Sequence, residues 1–247
     1  MPTTLETLGL YLARVAPGLV LGAVLLFLTR RESKVRIVIY LALFVALRDA
    51  MTPLGLWSFG TQGFFWIRLV NDSWFLILFG IACLSLSVAI YFLDRENQPL
   101  FQWIRGKWAR GLLWGTVGAL VVVAPLAIIY RYIPIDTRGG PVSSHLLPAI
   151  LVFTLLGNLL EEALFRGYVY GQLAQKMTPF VAAIASGVVF AFCHIYLATT
   201  VTGVGYRLLV FTLWEGILAG IVGSQCGVLP ATLTHGGAIF VLSSGLI

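Results

Sequence analysis

Long apolar runs constrain the fold of this chain more than any other feature. Eight of them follow one another, at residues 8–28, 35–56, 74–93, 112–132, 146–173, 181–204, 208–223 and 228–247. About 20 such residues let a helix cross a bilayer core of roughly 30 Å. Lipid offers backbone amides no partner, so only helices and closed barrels span it, and barrel strands would alternate polar and apolar residues. The sequence therefore predicts an all-α, polytopic transmembrane helical bundle of about eight spans.

The amino-acid composition also indicates a protein that is surrounded mostly by lipid. Hydrophobic residues make up 59% of the 247 residues and charged residues only 11%, against about 25% charged residues in a soluble domain. This excludes a soluble enzyme, a disordered tail and a coiled coil. The net charge of +6 is interpreted as a topology signal, because Lys and Arg collect in cytoplasmic loops, and no nucleic-acid partner is expected. Three cysteines are predicted to be free, buried thiols: Cys83, Cys193 and Cys226.

Two parts of the chain are distinguished by their motifs. Residues 1–145 are predicted to form N-terminal transmembrane helices with a cytoplasmic interfacial segment, and residues 146–247 a core of helices that carries the candidate site. In the interfacial segment, residues 98–114, apolar Leu100, Ile104 and Trp108 recur every four residues beside several basic residues. That spacing predicts an amphipathic helix lying in the membrane interface.

The fifth run contains two adjacent carboxylates, Glu161 and Glu162. An ionisable group within a membrane costs several kcal/mol unless it is paired or hydrated, so each one is a functional candidate. Glu162 and Arg166 are four residues apart, share a helix face and are expected to pair. Glu161 points about 100° away and is free to face an intramembrane cavity. A plain helix-stabilising ion pair is the competing interpretation.

Two of the three histidines also lie in apolar runs, His194 in the sixth and His235 in the eighth. At 1.5 Å per residue, Glu161 and His235 fall at similar depths, roughly 20 Å below the outer face. A later start of the sixth helix would bring His194 to the same level. Glu215 is a further acid, in the seventh run, and either a supporting role or simple pairing accounts for it.

A carboxylate and an imidazole around one water can hydrolyse a peptide bond without a covalent intermediate. A second histidine could stabilise the oxyanion of the tetrahedral intermediate. The same side chains could instead bind zinc, although the helical H-E-x-x-H signature is absent from the sequence. A proton or ion relay in a transporter is the third option.

Three motifs resemble those of the CPBP family, also called Abi, which comprises CAAX proteases and bacteriocin-processing enzymes. They are Glu161-Glu162-x-x-x-Arg166, Phe190-x-x-x-His194 and His235 in the last run. The resemblance covers residues 146–247. It implies an intramembrane glutamic endopeptidase that needs no metal or other cofactor, zinc being possible but not favoured. The implied substrate is a membrane-bound or lipidated polypeptide surrounded by membrane lipids. The implied location is the prokaryotic plasma (inner) membrane, with several passes.

The resemblance also assigns roles to individual residues. Glu161 would activate the water and His194 would share it. His235 would stabilise the oxyanion, while supporting residues shape the site: Glu162, Arg166 and Phe190.

The third motif departs from the family pattern. The fourth residue after His235 is Ile239, where the family has Asn or Asp, and isoleucine offers no hydrogen bond. Asn158, four residues before Glu162, is a candidate substitute for that amide. The departure keeps an alternative open, a non-proteolytic membrane protein of the same family that binds a partner in a regulatory or immunity role.

Overall fold

The computed structural model describes residues 3–61 and 64–247. Within them the chain forms nine α-helices and one short hairpin: α1 Thr4–Leu28, α2 Ser33–Asp49, β1 Trp57–Gly60, β2 Trp66–Leu69, α3 Ser73–Leu93, α4 Trp108–Tyr130, α5 Leu147–Glu162, α6 Tyr170–Leu173, α7 Pro179–Phe192, α8 Tyr206–Cys226 and α9 Val228–Ser244. Seven helical segments of this described part are long and apolar enough to cross a membrane, and α9 is a shorter apolar helix. The polytopic helical bundle is confirmed, and the protein is a multi-pass integral membrane protein.

The first and third helices begin at local capping signals. Thr3 and Glu6 form a reciprocal capping box at α1, and the Asp72 side chain accepts a hydrogen bond from the Phe75 amide at α3. Such caps satisfy amides that have no partner inside the helix. Hydropathy therefore predicts where each span lies, and at α1 and α3 a capping residue marks where the helix begins.

The second span is shorter than predicted. α2 ends at Asp49, and a 3₁₀ turn at Thr52–Leu54 leads into the hairpin, in which Trp57 pairs with Leu69 and Gly60 with Trp66. A Cβ at Gly60 would lie 2.3 Å from the Trp66 ring. The hairpin was not predicted, because each of its strands has only four residues, too few for a clear sequence signal beside the long apolar runs.

The predicted amphipathic helix at residues 98–114 is wrong. Only a 3₁₀ turn at Gln98–Leu100 and the start of α4 at Trp108 are helical there. The backbone between them bonds to the α8–α9 turn: the Val228 amide donates to the Gln102 carbonyl, and the Arg105 amide donates to the Cys226 carbonyl. The segment is therefore irregular because it supplies partners to the neighbouring helix ends.

Close helix packing centres on α5 and α9. α5 lies between α3 and α9, α9 also contacts α4 and α8, and α7 pairs with α8. A Cβ at Gly216 would lie 3.0 Å from the Gly187 carbonyl oxygen, and one at Gly220 would lie 2.5 Å from that of Ala183. These glycines, four residues apart on one face of α8, let α7 and α8 approach closely.

The three cysteines are free, as predicted. Only Cys226 is fully buried; Cys83 and Cys193 are half-buried.

Candidate intramembrane active site

Glu162 is the centre of a buried charge cluster. Its carboxylate Oε2 lies 3.0 Å from Nε of Arg166, and its Oε1 lies 2.9 Å from Nδ1 of His235. The glutamate is fully buried. The expected Glu162–Arg166 pair is confirmed, and the cluster also joins α5 to α9 through His235.

Glu161 faces a cavity instead of joining that cluster. The cavity, called the main cavity below, has a volume of about 530 Å³, and its polar lining includes Arg48, Asn158, Glu161, His194, Glu215 and His235. Oε2 of Glu161 is buried and has no hydrogen-bond partner among the described residues. The predicted divergence of the two adjacent glutamates is therefore observed.

His194 reaches the main cavity because α7 ends just before it. The helix stops at Phe192, and Cys193 and His194 form a turn. Nδ1 of His194 lies 2.8 Å from the Phe190 carbonyl oxygen. A carbonyl only accepts hydrogen bonds, so this contact places the proton on Nδ1 and leaves the lone pair on Nε2. His194 can thus accept a hydrogen bond from a water molecule through Nε2.

The turn before His194 is held by a residue that sequence reasoning did not assign to the site. Nη2 of Arg48 donates to the Cys193 carbonyl at 2.8 Å, and the same guanidinium pairs with Asp49. These two charges interrupt the second apolar run, which is the local signal that could have marked them. Their partner lies 145 residues away in the chain, so the contact itself could not be predicted.

Glu215 is a further site residue, and the sequence left its role open between support and simple pairing. It is 1% exposed, and its Oε2 lies 3.5 Å from Nε2 of His235. The next residue, Gly216, accepts a hydrogen bond from Nη2 of Arg166 through its carbonyl oxygen. Residues 215 and 216 of α8 therefore contact both Arg166 and His235.

Phe190 packs the imidazoles into place. Its ring centroid lies 4.4 Å from that of His194 and 5.3 Å from that of His235, which it meets edge-on. The Arg166 guanidinium lies 5.1 Å from the same ring. The fully buried Phe190 thus separates the two histidines while contacting both.

A π-helix, Ala163–Val169, follows Glu162 directly. The amide of Tyr170 donates to the Phe165 carbonyl five residues back, and Ser186 of α7 donates to the same carbonyl at 2.7 Å. Such π-segments occur frequently at functional sites. This one ties the Arg166 segment to α7, and a regular helix was predicted in its place.

Asn158 and Ile239 both line the main cavity. The amide of Asn158 donates to the Thr154 carbonyl on its own helix at 2.6 Å. Ile239 presents an apolar wall one turn beyond His235. Asn158 as a substitute donor for the missing motif residue stays a prediction.

Within residues 3–61 and 64–247, no group of three or more His, Cys, Asp or Glu side chains has an arrangement that could hold a metal ion. The Glu162 carboxylate that contacts His235 is also engaged by Arg166. The expectation of a cofactor-independent site stays a prediction.

Comparison with known families identifies the segment that carries this site. The family model described as Type II CAAX prenyl endopeptidase Rce1-like matches residues 143–241. This part of the chain is similar to that family. The match confirms the resemblance drawn from the three motifs. The Rce1-like segment contains Glu161, His194, Glu215 and His235. Neither the curated proteins nor the solved structures include a match to the chain.

Proposed function

We propose that the protein is an intramembrane endopeptidase that uses Glu161 to activate a water molecule. The observation that carries this proposal is the unpaired carboxylate of Glu161 in the same cavity as the free Nε2 of His194. A carboxylate without a cationic partner is available as a base, and an imidazole acceptor can orient the water's second hydrogen. The Rce1-like match supports a protease.

In the proposed reaction Glu161 takes a proton from water, and the water oxygen attacks the carbonyl carbon of the scissile bond. The carbonyl oxygen becomes an oxyanion, which His235 stabilises from the cavity wall. The proton held by Glu161 passes to the leaving nitrogen as the C–N bond breaks. The products are a new carboxyl terminus and a new amine, and Glu161 returns to its starting state.

The supporting residues have separate tasks in this scheme. Glu162 and Arg166 neutralise each other and fix His235, while Phe190 holds both imidazole rings. A preorganised arrangement of this kind avoids reorganising dipoles during the reaction.

The cavity's opening favours a substrate that arrives through the membrane. Leu12 of α1 and Leu78 of α3 line the main cavity and are 57% and 41% exposed. Side chains that contact both the cavity and the surroundings mark an opening between these two helices. Because α1 and α3 are both long and apolar enough to cross a membrane, we propose a membrane-bound or lipidated polypeptide as the substrate. The proposed location is the prokaryotic plasma (inner) membrane.

The test is cleavage in liposomes that contain the purified protein. A panel of prenylated CAAX peptides, the same peptides without lipid, and transmembrane peptides would be analysed by mass spectrometry. We expect cleavage of lipidated or membrane-inserted members, its loss in Glu161→Gln, and its retention in Cys83→Ser, which also changes a cavity-lining side chain. Binding of a peptide without cleavage by the wild-type protein would support the partner-binding alternative and overturn the proposed enzyme.

A further inference from the structure

Both ring nitrogens of His235 face carboxylates, and these come from two different helices. Nδ1 contacts Glu162 of α5 at 2.9 Å, and Nε2 lies 3.5 Å from Glu215 of α8. The His235 side chain is 4% exposed, and the two carboxylate side chains are 0% and 2% exposed. A buried acid in an apolar helix is costly unless it is paired, and the contact with His235 is the pairing that Glu215 makes.

The position of Glu215 is fixed by the backbone that follows it. Gly216 accepts the hydrogen bond from Arg166 through its carbonyl oxygen at 3.0 Å. A Cβ at Gly216 would lie 2.9 Å from the Phe190 ring and 3.0 Å from the Gly187 carbonyl oxygen. α8 is therefore held against both α7 and the Arg166 side chain, which fixes the backbone from which the Glu215 carboxylate reaches His235.

The charges of this group balance when His235 is protonated. Two carboxylates, Glu162 and Glu215, then face two cations, Arg166 and the His235 ring. Glu161 stays outside this set and keeps its unpaired oxygen. Without Glu215, the ring would have a carboxylate on its Nδ1 side alone.

We propose that Glu215 is a positioning residue that keeps a proton on Nε2 of His235 and fixes the ring while Glu162 holds Nδ1. The doubly protonated ring then presents positive charge to the main cavity, which both Glu215 and His235 line. Ile239, one turn after His235 on the same wall, has no polar atom for this task. The catalytic use of this charge rests on the proposed function, whereas the protonation of His235 does not.

The experiment compares wild-type protein with Glu215→Gln and Thr212→Val in detergent micelles near neutral pH. Thr212 is a matched control because it is buried in α8 one turn earlier and lines the same cavity. Nitrogen-15 NMR of labelled histidine, assigned with His235→Gln, reports how many ring nitrogens carry a proton. We expect two on His235 in the wild type and in Thr212→Val, and one in Glu215→Gln.

Cleavage kinetics provide the second measurement. We expect kcat of Glu215→Gln to fall by about 100-fold, with KM changed by no more than about twofold. The proposal is overturned if His235 carries a single ring proton in the wild type, which is readable even if Glu215→Gln does not fold. It is also overturned if Glu215→Gln keeps both protons or full kcat. A wild type without any cleavage but with doubly protonated His235 would reject the proposed function and retain the role of Glu215.

Discussion

Nδ1 of His235 lies 2.9 Å from Oε1 of Glu162. This contact joins α9 to α5, the helix that carries the adjacent residues Glu161 and Glu162. Because of this contact, the adjacent residues Glu161 and Glu162 have different roles. Both carboxylate oxygens of Glu162 contact cationic or imidazole groups, those of Arg166 and His235. Glu161 instead faces the main cavity. Two neighbouring residues of the same type therefore have opposite expected responses to mutation.

The first prediction concerns Glu162. Replacing it by alanine leaves the Arg166 guanidinium buried without its anionic partner, which typically costs about 3–5 kcal/mol of stability. Reversible unfolding in mixed micelles would measure the loss. Glu161→Gln is the matched comparison and should unfold at or above the wild-type denaturant concentration, because it removes a buried group that lacks a partner. Equal destabilisation by both variants would contradict the division of roles.

A second prediction tests the contact between α7 and α8. A Cβ at Gly187 would lie 2.7 Å from the Ile217 backbone nitrogen, so Gly187→Ala must push the helices apart at about 1–3 kcal/mol. We expect lower thermal stability and a lower cleavage rate, because His194 follows α7. Gly18→Ala in α1, where a Cβ meets nothing within 4 Å, should lower neither, because alanine is favoured over glycine in an open helix. A Gly187→Ala protein with wild-type stability would show that the close approach is not required.

Arg48 provides the third prediction. Arg48→Met removes the donor to the Cys193 carbonyl and leaves Asp49 buried without its cation. A loss of about 3–5 kcal/mol is expected, together with slower cleavage as the turn before His194 loosens. In Arg48→Met with Asp49→Asn, stability should recover more than activity, since the neutral pair removes the buried charge but does not restore the bond to Cys193. Full recovery of activity in that double variant would exclude a role for the bond.

Ile239 is the subject of the fourth prediction. An amide one turn after His235 adds a hydrogen-bond donor to the cavity wall, and single oxyanion donors are worth about 10²–10³ in kcat. We expect Ile239→Asn to raise kcat by at least about twofold, a gain far smaller than the full value of such a donor. Ile239→Val, which keeps the wall apolar, should not. Unchanged kinetics in Ile239→Asn would mean that the oxyanion does not lie near residue 239.

Local spacing was enough to predict part of the site. Glu162 and Arg166 pair because four residues bring side chains to one helix face, and Glu161 diverges for the same reason. The spans follow from hydropathy, since lipid forces helical backbone. The contacts of Glu215 and Arg48 could not be predicted, because each joins helices far apart in sequence.

Residues 98–114 show why a periodic pattern can mislead. Their four-residue spacing is typical of an amphipathic helix, yet the Gln102 carbonyl accepts a bond from the α9 amide of Val228. The backbone amides at the start of a distant helix need hydrogen-bond acceptors, and this requirement outweighed the local pattern. The π-helix after Glu162 likewise depends on a neighbour, since Ser186 of α7 bonds the Phe165 carbonyl.

The most direct test of the account is the rate of peptide cleavage by Glu161→Gln in liposomes, measured beside wild type and with folding verified by unfolding in mixed micelles. The account predicts a folded protein whose cleavage rate is at least about 100-fold lower than that of wild type. Cleavage by folded Glu161→Gln at the wild-type rate would contradict the central claim that this carboxylate activates the water.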